Sequence, residues 1–209
     1  MAFLGRMLGK ILYRVEVEGL ENFPADGPVL ALVKHERNED IPLGFAFVLQ
    51  ARRPDNWCVM KHDLAAPQYL GLVLKAGGIP IDRDRPMRSR RSFRLAREVL
   101  HDGRALVLFP EQTFFLSEMG PGRFPGFRYL TKHAPAEIQV VPVGLRYIPP
   151  TRFPGRTRAI VRIGPPQALA PEVTRRQSTL ARFFYGCMRE IARLSDLEYS
   201  HPAPEQAAR

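Results

Sequence analysis

His35 and Asp40 stand five residues apart in "KHERNED", between the apolar run "PVLALV" and the segment "IPLGFAFVLQ". A neutral imidazole takes a proton near neutral pH, and a carboxylate beside it fixes the tautomer and stabilises the imidazolium. Such a pair can activate a bound hydroxyl or a water molecule. On one continuous helix, positions five apart point about 140° away from each other and do not meet. The pair therefore needs a strand–loop–helix junction. His35 would leave the end of "VLALV", Asp40 would open the next helix, and the loop would fold Asp40 back beneath the ring. Taken by itself, the spacing favours a solvated histidine and a helix-capping aspartate, because H-x4-D recurs by chance.

Three further segments follow: "GGIPIDR" (77–83), "LFPEQTFF" (108–115) and "VVPVGL" (140–145). With "VLALVKHERNEDIP" (29–42) as the first, the four blocks resemble in content and order the motifs of the glycerolipid acyltransferase family, which includes the 1-acylglycerol-3-phosphate acyltransferases. The second block carries an arginine after an apolar alternation. The third is usually written F-P-E-G-T-R-S, and the fourth is an apolar strand centred on proline. The resemblance spans about residues 15–165. It implies transfer of a fatty acyl group from acyl-CoA or acyl carrier protein to the free hydroxyl of a lysophospholipid such as 1-acylglycerol-3-phosphate. By position, His35 is the base and Asp40 its orienting partner. Arg83 would hold the acceptor's phosphate. Glu111, with Gln112 and Thr113 beside it, would help bind the acceptor, and Pro142 would shape the wall of the donor or acyl site. The resemblance calls for no enzyme serine or cysteine nucleophile, no metal and no cofactor.

The third block departs from the family pattern at two positions. Gln112 stands where glycine is usual, and Phe114 where arginine is usual. Glycine permits positive φ or close backbone approach, whereas glutamine adds bulk and an amide. Loss of the arginine removes a charge-assisted contact to phosphate. The acceptor is therefore left open between lysolipids, or a neighbouring cation substitutes. Water in place of the alcohol would make the same pair a thioesterase.

The charge balance agrees with an anionic partner. Lys and Arg number 31 against 21 Asp and Glu, giving +10 and an isoelectric point near 10.2. Such a surface favours nucleic acid, anionic lipid headgroups or phosphorylated substrates. No helix-turn-helix, zinc-finger or RNA-recognition signature is present, which argues against nucleic acid. "DRD" (82–84) matches an Asp-x-Asp metal pattern, but the histidines lack metal-ligand spacing. Cys58 and Cys187 are isolated and read as reduced core thiols. No apolar run approaches the roughly 20 residues needed to cross a bilayer. Leu4, Met7, Leu8, Ile11 and Leu12 form a stripe flanked by Arg6, Lys10 and Arg14, as in a helix lying on an anionic membrane surface or in one packed on the protein's own core. A cytoplasmic protein, peripheral on the inner face of the membrane, is expected.

The elements that must position the pair alternate. Buried-strand runs at 29–33, 57–61, 105–111, 138–147 and 158–166 are separated by helical segments near 40–53, 67–76, 87–103, 126–134 and 172–194. An α/β fold is expected: one domain, a mixed and mostly parallel sheet flanked by helices, and a short N-terminal amphipathic helix. The expected boundaries are 1–13 for that helix, 14–200 for the domain and 201–209 for a flexible tail.

Overall fold

The computed structural model describes residues 13–202 except 38, 42–47, 66–70, 76, 83 and 152–154. The expected N-terminal helix lies outside the described residues, apart from Tyr13, which opens the first strand instead. Most of the expected tail and Arg83 also lie outside them.

The expected α/β domain is present. Eight strands form one sheet in the order β1-β7-β6-β2-β5-β3-β4, with β8 paired to β6. They are β1 (Tyr13–Glu18), β2 (Val29–Val33), β3 (Asn56–Lys61), β4 (Gly78–Ile81), β5 (Ala105–Leu108), β6 (Ile138–Ile148), β7 (Thr157–Ile163) and β8 (Gln167–Leu169). Strands β6, β2, β5, β3 and β4 are mutually parallel. Antiparallel pairings join β6 to β7 and β8, and β1 runs parallel to β7. The longer helices are α1 (Arg90–His101), α2 (Phe124–Thr131), α3 (Pro171–Arg175) and α4 (Gln177–Leu194). Shorter helical turns occupy Gln50–Arg52 and Leu72–Lys75.

The sheet is buried on both faces because its central strands are apolar at every position rather than at alternate ones. Side chains alternate across the pleat. Leu30, Leu32, Leu106 and Leu108 face a core completed by Val99, Phe127, Phe184 and Met188 from α1, α2 and α4. Val29, Ala31, Val33 and Val107 face the other core, with Phe23, Val48 and Leu49. A side chain at Gly144 would strike the Leu194 backbone at 2.5 Å, so glycine lets the end of α4 lie directly on β6. The helix expected over 172–194 is interrupted at Arg176, whose extended backbone (φ −105, ψ 118) separates α3 from α4. The three-residue β8 follows Pro165 and Pro166 and is too short to show a period of two.

Candidate active site

The parallel strands β2, β5 and β6 deliver their C-terminal ends to one place, the usual position for ligands in an open α/β sheet. Leu32 of β2 pairs with Leu108 of β5 and with Pro142 of β6. Lys34 and His35 therefore emerge beside Phe109 and Glu111. The amide of Lys34 still donates to the Val143 carbonyl at 3.0 Å, so the strand geometry holds up to the residue before His35.

The chain then turns back, and Asp40 becomes fully buried. Its carboxylate receives four donors. The His35 Nδ1–H, Glu36 N–H and Arg37 N–H donate to Oδ2 at 2.9, 2.6 and 2.8 Å. The Tyr147 hydroxyl, from β6, donates to Oδ1 at 2.6 Å. Burial first, and the adjoining carboxylate second, push the Tyr147 phenol well above its ordinary range, so the hydroxyl keeps the proton that it donates. With Nδ1–H committed to Asp40, the imidazole presents Nε2 as its basic nitrogen. The ring is held by Phe109, stacked at 4.3 Å, and by Phe114, edge-on at 4.4 Å. The two residues proposed from spacing are thus brought together, on the strand–loop junction that their separation requires.

Lys34 and Glu111 form a second, wholly buried layer behind the histidine. Lys34 Nζ lies 3.1 Å from Glu111 Oε2, with both side chains at 0% exposure. The ammonium also donates to the His35 and Phe115 carbonyls, each at 2.9 Å. Glu111 accepts the His35 amide at 3.0 Å and the Gly120 amide at 2.7 Å. Burial pushes the Glu111 carboxyl up, and Lys34 with these amides pulls it down. Placed this way, Glu111 holds the amide of His35 and Lys34 its carbonyl, so the pair braces the histidine's backbone, and Glu111 lines neither of the cavities beside it. Glu111 was expected to help bind the acceptor; in the structure its carboxylate holds the main chain of His35 and Gly120.

One cavity is lined by His35, and a second adjoins the first. The first, of about 360 Å³, is lined by His35, Ile41, Lys61, Asp63, Leu64, Thr113 and Phe114. The other, about 350 Å³, is lined mainly by apolar residues including Ile81, Met87, Phe93, Leu108 and Tyr129, with Asp82 its one charged lining residue among those described. Val59, Phe109 and Gln112 line both and form the shared wall. Gln112 and Thr113 thus reach the cavities, as expected of substrate-contacting residues. Gln112 holds φ at 62°, which explains why glycine suits this position in the motif it resembles. Pro142, expected to shape the wall of the donor or acyl site, lines neither of these two cavities; it packs within β6 beside Gly164. Asp82 closes a local turn, its Oδ1 accepting the amides of Asp84 and Arg85.

Lys34 and Tyr147 are the site residues that the sequence reading missed. Lys34 extends a buried apolar run and Glu111 ends another. Two charges so placed need each other, because an unpaired buried charge is scarcely tolerated. Tyr147 left no comparable signal.

Among the described residues, no helix is long and apolar enough to cross a membrane. No curated protein matches this chain. A solved structure with a similar fold is that of the 1-acyl-sn-glycerophosphate acyltransferase PlsC from Thermotoga maritima. It shares 22% identity and a TM-score of 0.67, over 96% of this chain and 80% of that one. The family profile described as Acyltransferase matches residues 14–146, which contain His35, Asp40, Lys34 and Glu111. The match covers well over half of the sequence and includes both layers of the site, and this chain therefore belongs to the Acyltransferase family.

Proposed function

We propose that this acyltransferase moves a fatty acyl group from acyl-CoA or acyl carrier protein to the free hydroxyl of a lysophospholipid such as 1-acylglycerol-3-phosphate. The observation that carries the reading is the 2.9 Å His35–Asp40 contact at a cavity that shares a wall with an apolar one. The acceptor hydroxyl gives its proton to His35 Nε2 while its oxygen attacks the thioester carbonyl carbon. Asp40 stabilises the resulting imidazolium. As the tetrahedral intermediate collapses, the C–S bond breaks and the imidazolium returns the proton to the departing sulfur. The apolar cavity takes acyl chain, for which an apolar lining is the matching chemistry. Mass spectrometry of products from several lysolipids and a mixed acyl-CoA pool tests this. Diacyl products support it, and free fatty acid alone would make the protein a thioesterase.

Arg83 is proposed to hold the acceptor's phosphate; its sequence neighbours Ile81 and Asp82 line the apolar cavity. Arg83→Ala should raise the acceptor KM with less effect on the donor KM. Arg83→Lys should rescue it only in part, because a guanidinium makes paired hydrogen bonds to phosphate that an ammonium does not. A raised donor KM with an unchanged acceptor KM would reverse the assignment.

The protein is proposed to act at the inner face of the membrane, where its lipid substrates partition. The stripe Leu4, Met7, Leu8, Ile11 and Leu12 with Arg6, Lys10 and Arg14 fits an in-plane helix. Deleting residues 1–12 should weaken binding to anionic vesicles and spare turnover of a short-chain, soluble acceptor. Unchanged vesicle binding, or loss of folding, would place the segment with the core.

A further inference from the structure

Helix α1 and the turn before it concentrate positive charge. Arg85 and Arg88 precede Arg90, Arg91, Arg94 and Arg97, and Glu98 is the only carboxylate within the helix. Steps of four and three residues align Arg90, Arg94 and Arg97 in one row. The helix buries Ala96, Val99 and Leu100 on its far side, so the row faces outward. Elsewhere some surface arginines have carboxylates, Arg158 with Glu16, Arg162 with Glu18, Arg146 with Asp196 and Arg193 with Glu190, and those without an ion pair, such as Arg104 and Arg189, are not gathered in a row of this kind. Among the described residues, Arg88, Arg90, Arg91 and Arg94 have no such partner. Like charges at these spacings repel, and cations in a first helical turn oppose the helix dipole. The cluster therefore works against the isolated helix and calls for an external polyanion.

The apolar cavity reaches the surface beside this row. Met87, at 67% exposure, lines it together with Phe93 and Tyr129, whose rings meet edge-on at 5.5 Å. The Arg97 guanidinium lies over the Tyr129 ring at 5.2 Å. None of these residues lines the cavity at His35, which adjoins the opposite wall at Phe109 and Gln112. A thioester held at His35 with its chain in the apolar cavity would thus direct the methyl end toward the Met87 rim. A carrier protein must hold the head end of the chain, so this edge is the wrong one for it. A bilayer suits this edge, with phosphates for the arginines and hydrocarbon for the rim.

We infer that the outward face of α1 docks on an anionic bilayer, with the Met87–Phe93–Tyr129 rim set against the acyl region so that lipid chains pass between bilayer and cavity without crossing water. This rests on reading the apolar cavity as the acyl site. Arginine heads at the phosphate level beside a shallowly inserted apolar side chain match the layering of the interface.

The test uses the full chain and vesicles of phosphatidylglycerol mixed with phosphatidylcholine, against vesicles of phosphatidylcholine alone. The parent should bind the anionic vesicles preferentially, and high salt should weaken that binding. Combining Arg88→Glu, Arg90→Glu and Arg94→Glu should weaken it roughly hundredfold or more, since each basic residue near such a surface contributes about a factor of five. Glutamine at the same positions should give an intermediate loss, while thermal unfolding and turnover of a dispersed short-chain acceptor stay near the parent's. A folded triple variant with unchanged affinity for anionic vesicles would overturn the proposal. So would one that keeps vesicle binding but loses binding to acyl carrier protein, which would assign the face to that partner. Vesicle binding is read without turnover, so this outcome is independent of whether His35→Ala abolishes acyl transfer.

Discussion

Replacing His35 with alanine is expected to lower turnover by about 10²–10⁴-fold, the usual worth of a positioned general base, and to leave the protein folded. The ring is held by Phe109, Phe114 and one hydrogen bond to Asp40, so its removal deletes chemistry more than structure. The main-chain contacts of residue 35, from its amide to Glu111 and from the Phe115 amide to its carbonyl, survive in the variant. The check is kcat beside a thermal unfolding curve. Asp40→Asn should impair turnover too, because an amide cannot stabilise the imidazolium as a carboxylate does. An amide keeps only one accepting oxygen, so its NH₂ stands either against the Tyr147 hydroxyl or against the Glu36 and Arg37 amides, and some loss of stability should accompany it. Near-normal acyl transfer by a folded His35→Ala protein would end the catalytic assignment.

The largest expected effect on stability is at Glu111. Glu111→Ala leaves the Lys34 ammonium buried without its counter-charge and strips a partner from the amides of His35 and Gly120. Breaking one side of a buried ion pair typically costs about 3–5 kcal/mol. At about 2–4 °C per kcal/mol for a chain of this size, Tm should fall by roughly 6–20 °C. Glu111→Gln keeps the shape and an accepting oxygen and should cost less. Adding Lys34→Met to Glu111→Ala removes the orphaned charge and should restore part of the loss, because the pair as a whole is worth less than either half left alone. Denaturant midpoints for the parent, Glu111→Ala, Lys34→Met and the double variant close the cycle. A Glu111→Ala variant within about 1 kcal/mol of the parent would show that the pair is not the brace described, since that is the scale of an ordinary substitution.

The two layers of the site differed in how far the sequence revealed them. His35 and Asp40 were legible because four blocks in order resemble the motifs of an acyltransferase family. Their spacing showed only that a strand–loop–helix junction could bring them together, and by itself favoured a solvated histidine and a capping aspartate. Lys34 with Glu111 was not, because their meeting depends on β2 and β5 being neighbours with Leu32 opposite Leu108. Tyr147 depends in the same way on β6 lying on the other side of β2. Sheet order and register are long-range properties that no local pattern encodes. Local chemistry also set the limits elsewhere. Gln112 hides a left-handed backbone that a glycine would have announced. The break at Arg176 carries no proline or glycine to mark it. The α/β architecture was legible throughout, since continuous apolar strands alternating with amphipathic segments leave little choice of layers.

Strand β1 comes first among the strands in the sequence, yet it cannot be seated until β7 exists. Among the described residues its one strand neighbour is β7, where Tyr13 lies opposite Thr157, so β1 has its partner only after residue 157 has been made. The Tyr13 hydroxyl reaches the site's own loop, donating to Glu39 at 3.3 Å, and its ring meets Tyr147 edge-on at 5.8 Å. Closing the sheet edge and completing the surroundings of Asp40 are therefore one event. A ribosome-bound chain stopped short of β7 can pair β2, β5 and β6, yet it leaves the carboxylate network without its outer aromatic wall. The outer surroundings of Asp40 are in this sense a late product of synthesis, completed when β7 becomes available to β1.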